Sequence, residues 1–174
     1  MRNLAMRHWA ALLLLIAFSV WGAILFARHR SGENSPVDRI VITKGAHALS
    51  TFRAGRLLKT YRIALGQNPV GAKEQEGDMK TPEGVYFIDG RNPASDFHFA
   101  LHLSYPSAAD RERAAARAVN AGSDIEIHGL PNGHSRDDFH PKTDWTAGCI
   151  AVTDQEIEEL WRVAPVGTVV EIKP

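Results

Sequence analysis

Eighteen consecutive residues without a charge, Trp9 to Phe26 (WAALLLLIAFSVWGAILF), constrain this chain more than any other stretch. A helix needs about 18 to 25 such residues to cross a bilayer. A secretory signal has a shorter apolar core, about 7 to 15 residues, followed by a small-x-small cleavage site. Here Trp21-Gly22-Ala23 and Leu25-Phe26-Ala27 each place a large residue at the first position of such a site. The run therefore predicts an uncleaved membrane anchor rather than a signal, with the globular part exported. Arginines on both flanks leave little positive-inside asymmetry to fix orientation. Arg28 to Pro36 is polar and holds Gly, Asn, Ser and Pro, the composition of a linker. The expected organisation is an anchor and linker over residues 1–34 and one domain over residues 35–174.

Lys+Arg and Asp+Glu are both 20, so the formal charge is zero and no global basic field marks a nucleic-acid binder. One cysteine, Cys149, excludes an internal disulfide and any zinc site of the Cys₂His₂ or Cys₄ type.

After the linker the apolar residues alternate more often than they follow a helical period. Val37–Thr43, Leu49–Phe52 and Leu57–Leu65 read as strands, the last two joined as a hairpin through Arg53–Arg56. Gln67–Lys80 reads as a loop. Lys80-Thr81-Pro82-Glu83-Gly84 and Asp89–Pro93 read as turns flanking a strand over Val85–Ile88. Phe97–Leu103 predicts a strand with His98 and His102 on one face. Ser107–Val119 predicts a surface helix, and Arg111, Arg113 and Arg117 give it a basic, solvated face. A short strand over Asp124–His128 follows, then a loop over Gly129–Asp144. Thr153 and Glu156 have capping-box spacing, so a helix begins there. Val169–Ile172 is a terminal strand. The fold class is mainly β: a compact sandwich or barrel with two short helices.

The chemistry concentrates in Trp145–Val152 (WTAGCIAV). A lone cysteine in a glycine-containing turn, with His128 ending a separate strand, is a candidate nucleophile and base. An imidazole can take the thiol proton and leave a thiolate–imidazolium pair. Gly148 and Cys149 could offer backbone N–H groups to an oxyanion. The competing reading is a small buried thiol with no chemistry. His102 is either a polar-face residue or part of the cleft wall; Tyr105 either touches substrate or packs. His134 and His140 read as solvated loop residues, and Trp145 more as core than as a substrate platform.

The pattern His128-Gly129, a gap, then Thr146-Ala147-Gly148-Cys149 resembles the signature of L,D-transpeptidase catalytic domains, the YkuD-type fold. Gly66 after the second hairpin strand, the turn Thr81-Pro82-Glu83-Gly84, and the ending with Pro165 and Gly167 are similar as well. The resemblance spans Val37 to Pro174. Two positions depart from the family pattern: Ala147 stands where His is usual and Ala151 where Arg is usual. The missing Arg removes a natural partner for a substrate carboxylate.

The resemblance implies that Cys149 attacks the carbonyl of the third residue of a peptidoglycan stem tetrapeptide, with His128 as base and D-alanine leaving. Gly129, Thr146, Gly148, His102 and Tyr105 would then line the substrate site. An amine from a second stem, or from a wall-anchored lipoprotein, would accept the acyl group. Water as acceptor would make a carboxypeptidase or amidase. A non-catalytic wall-binding module is the third expectation. No cofactor or metal is implied. The expected place is the inner membrane, through the N-terminal helix, with the catalytic domain in the periplasm.

Overall fold

The computed structural model describes residues 35–134 and 143–174. The anchor expected over Trp9–Phe26 and the loop residue His140 lie outside the described residues. Among the described residues, no helix is long and apolar enough to cross a membrane.

Alternation produces the strands. In β1 (Arg39–Thr43) every second side chain, Ile40 and Ile42, is fully buried. Such β-branched residues pack well on a pleated surface. β2 (Ala48–Arg53) and β3 (Arg56–Arg62) form the expected hairpin. Ala54 and Gly55 at its tip have φ of 49° and 76°, and Ala54 N–H donates to Asp38 Oδ2 at 2.5 Å. Two positive φ values match the twist of the flanking strands. β3 is exposed except at Tyr61, as a charged edge strand should be.

β4 (Gly84–Ser95) runs straight through Asp89–Pro93, where the sequence predicts a turn. The turn-forming residues are absorbed by register shifts between Ile88 and Gly90 and between Asn92 and Ser95. Such bulges keep a strand paired while bending it. β4 therefore serves both halves of the sheet, pairing β8 (Val169–Lys173) along its first part and β5 (His98–Leu103) along its second. β6 (Glu126–His128) and the two-residue β7 (Ile150–Ala151) complete an eight-stranded order, β3-β2-β1-β8-β4-β5-β6-β7. β1 and β8 are parallel, as are β6 and β7.

The two ends of this order meet. Ala64, just past β3, exchanges both backbone hydrogen bonds with Ala151 of β7, each 2.9 Å. Gly66 forms a parallel bridge with Thr146, whose N–H donates to the Leu65 carbonyl at 3.1 Å and whose carbonyl accepts from Gln67 N–H at 3.0 Å. The closure holds at one side of the sheet, beside the cysteine.

Two helices lie among the described residues. α1 (Ala108–Ala116) and α2 (Asp154–Val163) both open with a capping box, at Ser107/Asp110 and Thr153/Glu156. α1 is shorter than predicted, because its chain turns at Arg117 and Ala118 takes φ 55°. The arginines of α1 are engaged: Arg113 with Asp110, Arg117 with Glu74, and Arg111 with the Pro106 carbonyl. α2 buries Ile157, Leu160 and Val163 against the core, and Trp161 stacks on Phe99 of β5.

Candidate active site

β5, β6 and β7 set the site by register. Ala100 pairs with His128, and His128 with Ala151. His102 pairs with Glu126. One step back along the parallel β6–β7 pair, Glu126 falls beside Cys149. Side chains alternate across a strand, so one face carries two adjacent rows. The first is His102, Glu126, Cys149; the second is Ala100, His128, Ala151. Leu101, Ile127 and Ile150 point the other way, into the core, and are fully buried. Cys149, immediately before β7, and His128, at the end of β6, thus share a face, one diagonal apart.

His128 is held from three sides. Its ring lies 4.5 Å from that of Phe97 and 5.6 Å from that of Trp145, centroid to centroid. Nδ1 stands 2.7 Å from the Gly129 carbonyl oxygen, which can only accept, so Nδ1 carries the hydrogen. That tautomer leaves the Nε2 lone pair as the basic site. Burial depresses the ring's pKa to about 4. The Gly129 carbonyl opposes that shift.

Gly129 is packed against β5 and Asp154. Its N–H donates to the carbonyls of Phe97 and Phe99, 3.0 and 3.2 Å, and a Cβ there would stand 2.7 Å from Asp154 Oδ1. It orients His128.

The cysteine turn is built by Thr146. Its hydroxyl donates to the Cys149 carbonyl at 2.7 Å and accepts from Gly148 N–H at 3.1 Å. Thr146 is itself buried. Thr146 therefore shapes the turn rather than lining a cleft, and the Gly148 N–H is not directed at an oxyanion as expected. Gly148 has φ 137°, and a Cβ on it would stand 2.7 Å from the Lys80 carbonyl oxygen. Gly66 is equally confined: its Cβ would clash with Met79 O at 2.2 Å. Loop 67–80 can press on the cysteine turn only because both positions are glycine.

The thiol of Cys149 donates to the Asp124 carbonyl at 3.4 Å. Burial pushes its pKa up to about 11, Glu126 and Asp124 adding negative charge nearby while the Glu126 backbone and Lys73 act the other way. At rest the pair is a neutral thiol and a neutral imidazole.

His102 is part-exposed. Its Nδ1 lies 2.5 Å from Asp89 Oδ1, and its Nε2 lies 3.8 Å from Asp124 Oδ1. His98 does not join it. A φ of 67° turns His98 out of the alternation, and its Nε2 meets Glu158 on α2 at 2.9 Å. Tyr105 packs in the core beside Tyr86 and donates its hydroxyl to the Ala121 carbonyl at 2.7 Å.

Sequence reasoning missed the polar ties behind the site. Asp144 accepts from Leu65 N–H at 2.8 Å and meets His47 Nε2 at 2.9 Å. Buried Lys44 donates to Glu83 and to the carbonyls of Gly71 and Thr81. Thr81 in turn accepts from Gly66 N–H at 3.0 Å. The Thr-Pro-x-Gly turn was the available signal for the last of these. Among the described residues, no group of three or more metal-ligating side chains converges.

A mainly β domain, closed beside a histidine that ends one strand and a cysteine that immediately precedes its parallel neighbour, is the class that fold and site define. The chain belongs to the L,D-transpeptidase catalytic domain family (YkuD), which matches residues 37–172. It is similar to the YafK protein of Escherichia coli (strain K12), which carries L,D-transpeptidase in its name, at 28% identity over 109 residues, 62% of this chain and 37% of YafK. Among solved structures it is similar to the helical cell shape determining protein Pgp2 from Campylobacter jejuni, at 26% identity and TM-score 0.61, covering 80% of this chain and 49% of that one. Bd1075 of Bdellovibrio bacteriovorus is similar at 25% identity and TM-score 0.56, covering 79% and 48%. The chain thus spans about half the length of these structures and less of YafK.

Proposed function

We propose that this domain is a cysteine-dependent L,D-transpeptidase that acts on peptidoglycan stem peptides through a thioester. The observation that carries the reading is the shared face of Cys149 and His128, with the His128 tautomer fixed by Gly129 so that Nε2 is basic. Family membership supports it.

The chemistry follows from the resting charges. A thiol with a pKa near 11 is a weak nucleophile on its own. Proton transfer to His128 Nε2 therefore accompanies attack of Sγ on the stem carbonyl. His128 then returns the proton to the departing D-alanine amine, leaving a thioester on Cys149. The Gly148 N–H is already bonded, so Cys149 N–H is the turn's candidate donor to the oxyanion. An amine of a second stem, or of a wall-anchored lipoprotein, completes transfer.

Water as acceptor is the second reading, giving a carboxypeptidase or amidase. Buried Ala151 favours it, because the family's usual arginine, a natural carboxylate holder, has no counterpart there. For the whole protein we propose membrane attachment through residues 1–34 and a periplasmic catalytic domain.

The test is incubation of the full chain in detergent with purified disaccharide-tetrapeptide, read by mass spectrometry beside Cys149→Ala and His128→Ala. A dimer that has lost one alanine, absent from both variants, establishes transfer. Tripeptide alone establishes hydrolysis. Unchanged tetrapeptide together with an unreactive thiol refutes both and leaves a wall-binding module.

A further inference from the structure

His128 packs against Phe97 and Trp145 and is 2% exposed, whereas His102 is part-exposed. The second half-reaction needs a proton taken from an acceptor that arrives from solvent. Among the described residues, one other imidazole lies on the row of the nucleophile: His102, across Glu126 from Cys149. We propose that His102, oriented by Asp89, is the base that activates the acyl acceptor; this rests on the acyl-transfer reading above.

Three observations carry it. The Asp89 carboxylate accepts from Nδ1 at 2.5 Å, which fixes the tautomer and leaves the Nε2 lone pair outward. Nε2 is 3.8 Å from Asp124 Oδ1, beyond hydrogen-bond distance, and so is not committed to it. Its position also fits. Neighbouring strands lie about 4.8 Å apart, so two strand steps separate the backbones of His102 and Cys149 by about 10 Å. Both side chains rise from one face, and both reach Asp124, the thiol its carbonyl and the ring its carboxylate. Glu126 lies between them in that row, and the attacking amine or water is placed above it. Gly90, opposite His102 on β4, leaves room for the ring: a Cβ there would press on His102 Cβ at 3.3 Å.

The step balances without a further reactant. As the acceptor nitrogen or oxygen bonds to the thioester carbon, its proton moves to His102 Nε2. The tetrahedral intermediate collapses, the C–S bond breaks and the thiolate leaves. The His102 imidazolium then returns the proton to Cys149 Sγ. The carboxylates facing His102 are Asp89 on β4, Glu126 on β6 and Asp124 in the loop before β6.

The experiment separates the half-reactions. The full chain and His102→Ala are mixed with disaccharide-tetrapeptide, quenched over time, and weighed intact. Wild type is expected to show little acyl-enzyme at steady state. H102A is expected to acylate and then stall, with acyl-enzyme accumulating and turnover down about 10² to 10⁴-fold, the usual worth of a general base. Added imidazole should restore turnover of H102A but not of H128A, whose base is buried. Asp89→Asn should stall at the same stage more mildly. An H102A enzyme that turns over as wild type overturns the His102 proposal alone. So does an H102A enzyme that loses acylation and turnover equally and is not rescued. Absence of acyl-enzyme and of product with wild type overturns the acyl-transfer reading itself.

Discussion

Ala151 stands directly opposite His128 in the parallel β6–β7 pair, and its side chain is fully buried. Its backbone is also clamped, through the paired hydrogen bonds to Ala64 that close the sheet. This is the position where the resemblance leads one to look for arginine. The seat here is filled from all sides, so the departure belongs to the architecture of this chain.

Restoring the family residue should therefore fail. Ala151→Arg would force a guanidinium into a closed site, and an unpaired buried charge costs several kcal/mol. For a domain of this size, about 3 kcal/mol corresponds to a fall in Tm on the order of 10 °C. We expect A151R to lose at least that much in a thermal melt, or to be insoluble, with no gain in transfer. An A151R protein with wild-type Tm would show that the site opens more readily than its packing implies.

Thr146 should be replaceable by serine but not by valine. Valine keeps the shape and removes the hydroxyl, leaving the Gly148 N–H and the Cys149 carbonyl without their shared partner. An orphaned buried donor costs about 1–3 kcal/mol. We expect Thr146→Val to lower stability in urea by that amount and to change the rate of Cys149 alkylation. Thr146→Ser should stay near wild type in both. Equal behaviour of the two variants would remove the hydroxyl from the account.

What could be read from the sequence follows from how local each signal is. Alternation in Arg39–Thr43 and His98–Leu103 exposed the strands, and the Thr153/Glu156 spacing marked α2, because a cap and a pleat are decided within a few residues. Gly90 and Pro93 looked like punctuation but are bulge residues in a continuous strand, which only the pairing with β5 decides. β7 has two residues, too short for any period. Cys149 and His128 were recognisable from residue type. Their shared face was not, since it depends on the register between strands more than twenty residues apart. Thr146 and Gly129 looked like cleft residues because polarity and motif do not say which way a group is already bonded, while the packing alternative for Tyr105 is the one its burial fits. Nothing in the local pattern around Lys44 or Asp144 foretold that their partners would come from distant loops.

Gly148 is needed twice over, by its φ of 137° and by the Lys80 carbonyl 2.7 Å from where a Cβ would sit. Gly148→Ala must therefore move loop 67–80, the cysteine turn, or both. A misplacement of about 1 Å at the reacting atom is worth about 10²-fold in rate. We expect G148A to lose at least that factor in thioester formation, followed by intact mass, while its circular dichroism stays that of a β protein. Gly133→Ala is the control: it too has a positive φ, 84°, but nothing lies within 4 Å, so any loss there measures backbone strain without the clash.

The buried pair should also leave opposite marks on stability against pH. His128 is near 4 in the folded protein, against about 6.5 for an unperturbed histidine. Between those values the unfolded chain binds one proton more than the folded one, so stability falls as pH drops through that window. One unit is worth about 1.36 kcal/mol, giving on the order of 3 kcal/mol by pH 4. Cys149 works from the other end. Its folded pKa is near 11, against about 8.5 for a free thiol. The unfolded thiol therefore ionises first, and stability falls as pH rises from about 9 towards 11. Urea melts across pH should show both slopes. His128→Gln should flatten the acid side and leave the alkaline one, while Cys149→Ala should flatten the alkaline side only up to about pH 10, above which Tyr61, Tyr86 and Tyr105, all raised by burial, keep a slope. An acid slope that survives H128Q unchanged would mean that other groups carry it and that the imidazole is not held neutral.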